Sequence, residues 1–141
     1  MEFGHAIETF FKRYVDFQGR SSRSEYWWFM LFNFLVGLAT VIIDLIFGLP
    51  VFQTLWTLGI ALGGIALAIR RLHDIDRTGF WLLTPFAFIP VLFIGGVADS
   101  EPILGLSFIV YIGFGITLFV FSLLPGTKGP NRFGPNPLDN F

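Results

Sequence analysis

The sequence predicts an all-α integral membrane protein with four transmembrane helices, an amphipathic interfacial helix before them, and both termini in the cytoplasm. Composition is the first reason. Hydrophobic residues make up 54% of the 141 residues and charged residues only 13%, which is too little polar surface to cover a soluble globule of this size. The second reason is the order of the charges. All nine lysines and arginines fall in three short stretches, which four long apolar runs without cations separate.

The three cationic stretches also predict the orientation of the chain. They cover residues 12–23, 70–77 and 128–132. If each apolar run crosses the bilayer once, all three stretches lie on the same side. Lysine and arginine in short loops resist translocation and stay at the cytoplasmic leaflet. We therefore expect both termini in the cytoplasm, with three acidic residues on the opposite side: Asp44, Asp99 and Glu101.

Residues 3–17 are predicted to form a separate amphipathic helix. At about 100° per residue, its apolar side chains fall within one arc: Phe3, Ile7, Phe10, Phe11, Tyr14 and Phe17. The segment is too short and too charged to cross a bilayer, so we expect it at the boundary between headgroups and acyl chains. The alternative is a helix that packs on the other cytoplasmic segments.

The four apolar runs are predicted to be transmembrane helices at residues 27–47, 51–69, 80–98 and 103–124. At about 1.5 Å rise per residue, the first run reaches roughly the 30 Å of a hydrocarbon core. Aromatic rings with a polar edge favour the membrane interface, and Tyr26, Trp27 and Trp28 mark it on the cytoplasmic side. Gly48 and Pro50 predict a very short turn, so the first two helices should form an antiparallel hairpin.

Small and polar residues inside the spans carry further predictions. Gly59 and Gly63 form a GxxxG step, which lets another helix of this chain or of a second copy approach closely. Pro85 and Pro90 predict a bend in the third span. No Glu, His, Lys or Arg occupies a predicted midplane position. This disfavours a monomeric ion pump or a carrier of charged substrates.

Three polar segments should meet at the cytoplasmic face. They contain Gly-Arg-x-x-Arg-x-Glu-Tyr-Trp at residues 19–27, Arg-Arg-Leu-His-Asp-x-x-Arg-x-Gly-Phe-Trp at 70–81, and Asn-Arg-Phe-Gly-x-x-Pro at 131–137. In these motifs the chain resembles the bacterial inner-membrane family known as domain of unknown function 805. The resemblance implies a small multi-pass protein of the bacterial inner membrane. It implies no particular activity, substrate or cofactor.

The same segments supply the candidate binding site. Guanidinium groups suit bidentate bonds to phosphate or carboxylate, and the anionic leaflet lies beside them. We therefore expect a site for an anionic phospholipid headgroup or for a membrane protein partner, formed by Arg20, Arg23, Arg70, Arg71, His73, Asp74, Arg77, Asn131 and Arg132. The alternative is a topology signal with a salt-bridge network that ties the cytoplasmic ends together. Arg70 and Asp74, four residues apart, can pair on one helix face.

The tail from Pro125 has four prolines and three glycines within residues 125–137, so a regular helix is excluded. Disorder is one expectation for it. The other, slightly favoured, is that Asn131, Arg132 and Phe133 dock onto the segment that contains Arg70 and Asp74.

The remaining patterns argue against catalysis. The chain has no cysteine, which excludes a thiol nucleophile or a thiolate metal site. His73 beside Asp74 is a weak signal for a general base. The sequence has no P-loop, dinucleotide fingerprint or zinc spacing. We expect no enzyme, no catalytic residue, no metal and no cofactor. We also expect no nucleic-acid partner, because phospholipid is the nearer polyanion.

Two functional hypotheses remain from the sequence. The first is a non-enzymatic membrane module that binds anionic lipid or protein partners through the cytoplasmic Arg, Asp and His residues. The second is a small channel or transporter subunit that acts as a homo-oligomer.

Overall fold

A computed structural model describes residues 1–139, with the side chain of Phe88 left out. These residues form five α-helices and two short 3-10 helices. In chain order they are α1 (Phe3–Lys12), α2 (Arg23–Phe47), α3 (Val51–Asp74), 3-10 helices at Gly79–Leu83 and Pro85–Phe88, α4 (Ile89–Val97) and α5 (Glu101–Leu123). Within the described residues, extended pairing is limited to one bridge between Asn131 and Gly134.

Helices α2 and α3 form the expected hairpin, and Asp44 closes its turn. Gly48 ends α2 with a φ of 68°, a conformation that glycine adopts without strain. The Asp44 carboxylate accepts hydrogen bonds from the amides of Phe52 (2.8 Å) and Gln53 (2.9 Å). The first amides of a helix have no partner within it, so Asp44 of α2 caps α3.

Polar side chains also join α2 and α3 within the apolar part of the hairpin. The indole of Trp56 donates to Asn33 at 3.0 Å. Thr40 donates to Gln53 at 2.5 Å. In hydrocarbon such groups have no water to bond, so they stabilise the hairpin by bonding each other.

Helix α1 packs on both helices of the hairpin. Phe10 is fully buried and stacks on Phe29 of α2, with ring centroids 3.6 Å apart. A Cβ atom on Gly63 of α3 would overlap the ring of Tyr14, and the Tyr14 hydroxyl donates to the carbonyl of Gly59. The close approach at the GxxxG step is therefore made within one chain. The rings of Phe10 in α1 and of Tyr14 just after it make this approach, rather than a second long helix.

Two features of α1 differ from the prediction or extend it. The helix ends at Lys12 rather than at Phe17. The Arg13 side chain folds over the following turn, where it donates to Asp16 (2.8 Å) and to the carbonyl of Gln18 (2.8 Å). Part of the aromatic face stays uncovered, since Phe11 is 51% exposed. Helix α1 thus combines packing on other helices with an apolar surface that suits lipid.

The third apolar run is less regular than the predicted helix at 80–98. It consists of the two 3-10 helices followed by the nine-residue α4. Proline has no N–H and clashes with the preceding helical turn, so Pro85 and Pro90 oppose a continuous α-helix. Helices α2, α3 and α5 are long and apolar enough to cross a membrane.

The long helices are mostly uncovered. In their most apolar 18-residue windows, the share of residues buried inside the fold is 11% for α2, 17% for α3 and 6% for α5. Side chains such as Leu45 and Phe93 are 77% and 71% exposed. A surface this apolar requires hydrocarbon as its solvent. The largest fully buried side chains instead include Arg70, Arg71 and Phe10, at or near the polar end of the hairpin.

Candidate functional site: a buried arginine network

Five charged side chains form the most deeply buried polar group of the described chain. We call Arg20, Glu25, Arg70, Arg71 and Asp74 the arginine network. Each of their side chains is at most 4% exposed. They come from the loop before α2, the start of α2 and the end of α3. The hairpin brings the last two together because α2 begins where α3 ends.

Asp74 is the centre of the network. Its Oδ1 accepts from Arg20, with Nε at 2.9 Å and Nη2 at 2.8 Å. Its Oδ2 accepts from Nη1 of Arg71 at 2.5 Å. One carboxylate is thus shared between two guanidinium groups. A buried charge without such partners would destabilise the fold by several kcal/mol, because it loses its hydration without compensation.

The two arginines on Asp74 also hold the chain beyond α5. Arg20 donates to the carbonyls of Thr127 and Gly129, both at 2.7 Å. Arg71 donates to the carbonyls of Ser122 (3.3 Å) and Leu124. The last carbonyls of a helix have no partner within it, so Arg71 caps the end of α5.

Arg70 holds the loop between α1 and α2. Its Nε donates to the Ser21 hydroxyl at 3.0 Å, and its Nη1 donates to the carbonyls of Arg13 (2.8 Å) and Asp16. Its Nη2 lies 3.6 Å from Oε1 of Glu25 and has no hydrogen-bond acceptor among the described residues. Ser21 completes the group, since its hydroxyl donates to the same Glu25 oxygen at 2.9 Å.

Asp16 belongs to the same loop and stays ionised. Partial burial opposes its charge, but the amide of Gln18 and the guanidinium of Arg13 outweigh that effect and lower the pKa of the carboxyl. The carboxylate of Asp16 therefore remains an anionic partner for Arg13 at neutral pH.

The tail docks onto the end of α3, as the sequence slightly favoured. Asn131 donates to the carbonyl of His73 at 2.9 Å, and the ring of Phe133 stacks on that of His73 with centroids 3.8 Å apart. Nδ1 of His73 lies 3.0 Å from the carbonyl of Gly19 and must carry the proton, since a carbonyl only accepts. No carboxylate thus orients this nitrogen of His73 as in a general-base pair.

Gly126 permits this docking. The backbone amide of Thr127 donates to the carbonyl of Asp74 at 2.8 Å. A Cβ atom on Gly126 would overlap the Asp74 carboxylate. A larger residue at this position would push the tail away from the network.

The other candidate cations are exposed. Arg132 pairs with Asp76 at 3.1 Å. The guanidinium of Arg77 lies over the rings of Trp81 and Phe121, at 5.8 and 5.7 Å. Arg23 donates to the carbonyl of Leu123 at 3.3 Å. Of the nine candidates, four are therefore buried with their bonds used within the fold, three are exposed at its rim, and His73 and Asn131 are partly buried.

Sequence reasoning missed some members of the site and paired others wrongly. Asp74 binds Arg71 and Arg20 instead of Arg70, which lies against Glu25. Helical spacing allows partners at three or four residues, and the tertiary contact with Arg20 decides between them. Glu25 stood in the first motif among arginines, a signal that could have identified it. Ser21, Gly126 and Thr127 act through tertiary contacts that no local pattern indicates.

Fold and site together define a small helical membrane protein whose cationic segments are tied together by buried ion pairs. The chain belongs to the family described as "Protein of unknown function (DUF805)", whose sequence model matches residues 14–135. This confirms the resemblance carried by the three motifs. All five residues of the arginine network lie within the matched range.

Two relatives are named inner membrane proteins. The chain is 41% identical over 128 residues to Inner membrane protein YhaI of Escherichia coli (strain K12), which covers 89% of each chain. It is 32% identical over 132 residues to Inner membrane protein YhaH of the same organism, with 89% of this chain and 90% of that one covered. No solved structure matches the chain. Its place in the membrane thus rests on its relatives and on its apolar helices together.

Proposed function

We propose that the chain is a non-enzymatic, multi-pass module of the bacterial inner membrane that binds anionic phospholipid at its cytoplasmic face. The observation that carries this proposal is the division of the nine cations. Arg20, Arg70 and Arg71 are buried and form the scaffold. Five others are exposed and lie outside the network: Lys12, Arg23, Arg77, Lys128 and Arg132. The ninth, Arg13, is partly buried and pairs with Asp16.

The proposal includes four spans with both termini in the cytoplasm. Trp28 at the start of α2 donates to the carbonyl of Met1, and the tail bonds the end of α3, so both chain ends lie at the same pole of the hairpin. A 3-10 helix rises about 2.0 Å per residue, so the segment from Gly79 to Val97 would reach roughly 30 Å if its pieces were collinear. That length supports a fourth crossing despite the broken helix.

The chemistry of the leaflet favours lipid as the ligand. A lysine or arginine near an anionic membrane surface contributes about 1 kcal/mol of attraction, and several together add up. The network keeps the exposed cations in place, because it joins the loop before α2, the end of α3 and the tail. A catalytic role has less support, because Nδ1 of His73, the candidate general base, already bonds the carbonyl of Gly19.

Lipid retention tests this proposal. Native mass spectrometry of the gently extracted chain should show phosphatidylglycerol retained in preference to phosphatidylcholine. Neutralising the exposed arginines together (R23Q, R77Q and R132Q) should remove the preference while leaving the unfolding temperature within a few degrees. Equal retention by a folded triple variant would refute the lipid proposal. A membrane protein that is cross-linked to the wild type and lost from the variant would replace lipid with a protein partner.

The channel or transporter hypothesis has less structural support. The polar residues Asn33, Thr40 and Gln53 bond within the α2–α3 hairpin or with each other. We expect no ion or small-solute flux from liposomes that contain the purified chain. Flux that rises with protein concentration and requires an oligomer would support the channel or transporter hypothesis instead.

A further inference from the structure

A groove on the first turns of α2 is distinct from the arginine network. Arg23, Ser24, Trp27, Trp28 and Leu31 line it, and its volume is about 340 Å³. Residues 23, 27 and 31 are spaced by four and so share one face of a helix. The face carries a cation at the start of the span and apolar side chains along the next two turns. This order matches a phospholipid, which has its phosphate at the interface and its chains below it.

We propose that this groove binds one anionic phospholipid, with the phosphate on Arg23 and the upper acyl carbons against Trp27, Trp28 and Leu31. The proposal rests on the proposed function and names its ligand subsite. It assigns the binding to one exposed arginine and an aromatic groove rather than to the buried network.

The cation of the groove is available to a ligand. A guanidinium carries five N–H donors, and the structure gives Arg23 one hydrogen bond, to Leu123 at 3.3 Å. Among residues 1–139, Arg23 forms no ion pair, whereas Arg13 pairs with Asp16 and Arg132 with Asp76. A phosphate diester would supply the missing anionic partner through bidentate bonds.

The walls of the groove are held in place by the fold. The Trp27 indole donates to the carbonyl of Ser122 at 3.2 Å and meets Phe119 edge to face. The Trp28 indole donates to the carbonyl of Met1 at 3.1 Å and meets Phe3 edge to face. Both indole N–H groups are therefore bonded within the fold, which fixes two residues of the groove wall. A groove formed before binding costs little ordering entropy when a lipid enters.

Quenching of tryptophan fluorescence by brominated lipid tests the groove directly. The full chain in uncharged detergent micelles is titrated with brominated phosphatidylglycerol or brominated phosphatidylcholine. Both lipids carry a phosphate diester, but the choline cation of phosphatidylcholine cancels its net charge and repels Arg23. We therefore expect phosphatidylglycerol to quench at a concentration about tenfold lower. R23Q should abolish the difference, and R23K should restore part of it.

Two matched variants separate charge from shape. E101Q changes an exposed charge at the start of α5, outside the groove and the cationic segments, and should leave the tenfold difference intact. L31F keeps every charge but narrows the groove, and it should weaken quenching by phosphatidylglycerol. Because Leu31 is a partly exposed residue on the lipid side of α2, this variant keeps the fold's buried contacts.

The outcomes distinguish the groove from the broader proposal. If R23Q retains the lipid preference and the triple arginine variant loses it, the assignment of the lipid to this groove is wrong and the proposed function stands. If the wild type shows no preference in either assay, both are wrong. Inorganic phosphate that competes as strongly as the lipid would also overturn the groove, because it would show a site for a soluble anion.

Discussion

Asp74 joins separate segments of the described chain through both its side chain and its carbonyl. The carboxylate binds Arg20 and Arg71, and the carbonyl binds the amide of Thr127. Replacing a whole buried ion pair by apolar groups can be neutral, but removing one partner leaves the other charged and unpaired. The strength of the network is therefore best measured by breaking it on one side.

The first prediction concerns Asp74 against a surface carboxylate. D74N leaves Arg20 and Arg71 without their anion and should lower the free energy of unfolding by about 3 kcal/mol. D76N removes the exposed pair with Arg132 and should cost about 0–1 kcal/mol. Denaturant unfolding in detergent micelles measures both. Equal losses in the two variants would show that burial of the network contributes little.

Among the helices, the packing of α1 on α3 depends on Gly63, because this residue has no side chain. Gly63 leaves room for the rings of Tyr14 and Phe10. Gly64, one residue further, has open space around its Cβ position. The two glycines form a matched pair, because they share a helix and differ in what they face.

The second prediction uses that pair. G63L should displace Tyr14 and Phe10, weaken the packing of α1 and destabilise the protein by about 1–3 kcal/mol. G64L should have a much smaller effect, since its side chain would enter open space. Hydrogen exchange of the α1 amides provides the measurement, with faster exchange expected in G63L. Unchanged exchange in G63L would contradict this packing of α1.

The elements also show what local sequence can and cannot predict. The α2–α3 hairpin was predictable because Gly48 and Pro50 act locally on the turn. The apolar composition of the third run did not ensure a regular α-helix, because hydropathy does not distinguish an α-helix from 3-10 turns beside Pro85. The GxxxG step indicated a close approach, but a pattern of small residues does not identify the partner, and in the structure the rings of Tyr14 and Phe10 lie against Gly63.

The same limit applies to the site. The three motifs placed the arginines and Asp74 at one face, because cations stay on one side of a bilayer. Which guanidinium meets which carboxylate depends on tertiary contacts that span more than fifty residues, such as Arg20 with Asp74. Sequence therefore predicted the membership of most of the site, but not its division into buried and exposed cations.

At the scale of the whole molecule, the buried contacts concentrate at the end where the cations lie. The carboxyl end of α5 contacts the hairpin, because Arg71 and the indole of Trp27 both donate to the carbonyl of Ser122. The apolar lengths of the helices are largely uncovered. The fold is thus held at one pole by polar contacts, while lipid surrounds the rest.

The third prediction tests the orientation of that pole. The chain has no cysteine, so single introduced cysteines report their own location. In intact spheroplasts, a membrane-impermeant maleimide should label L49C and S100C. Q18C and K128C should react only after the membrane is opened. Labelling of Q18C and K128C in intact spheroplasts, with L49C and S100C protected, would show the opposite orientation and exclude the cytoplasmic tail. Labelling of K128C with Q18C protected would place the two ends on opposite sides and exclude the four-span topology.

Buried ion pairs fasten the cationic segments to one another. A double-mutant cycle between Arg20 and Asp74 measures this most directly, because the two residues are far apart in sequence and joined at 2.8 Å. Unfolding of the wild type, R20Q, D74N and the double variant gives their coupling free energy. We expect about 1.5–3 kcal/mol, typical of residues within one salt-bridge network. A coupling near zero, with both single variants folded, would contradict the claim.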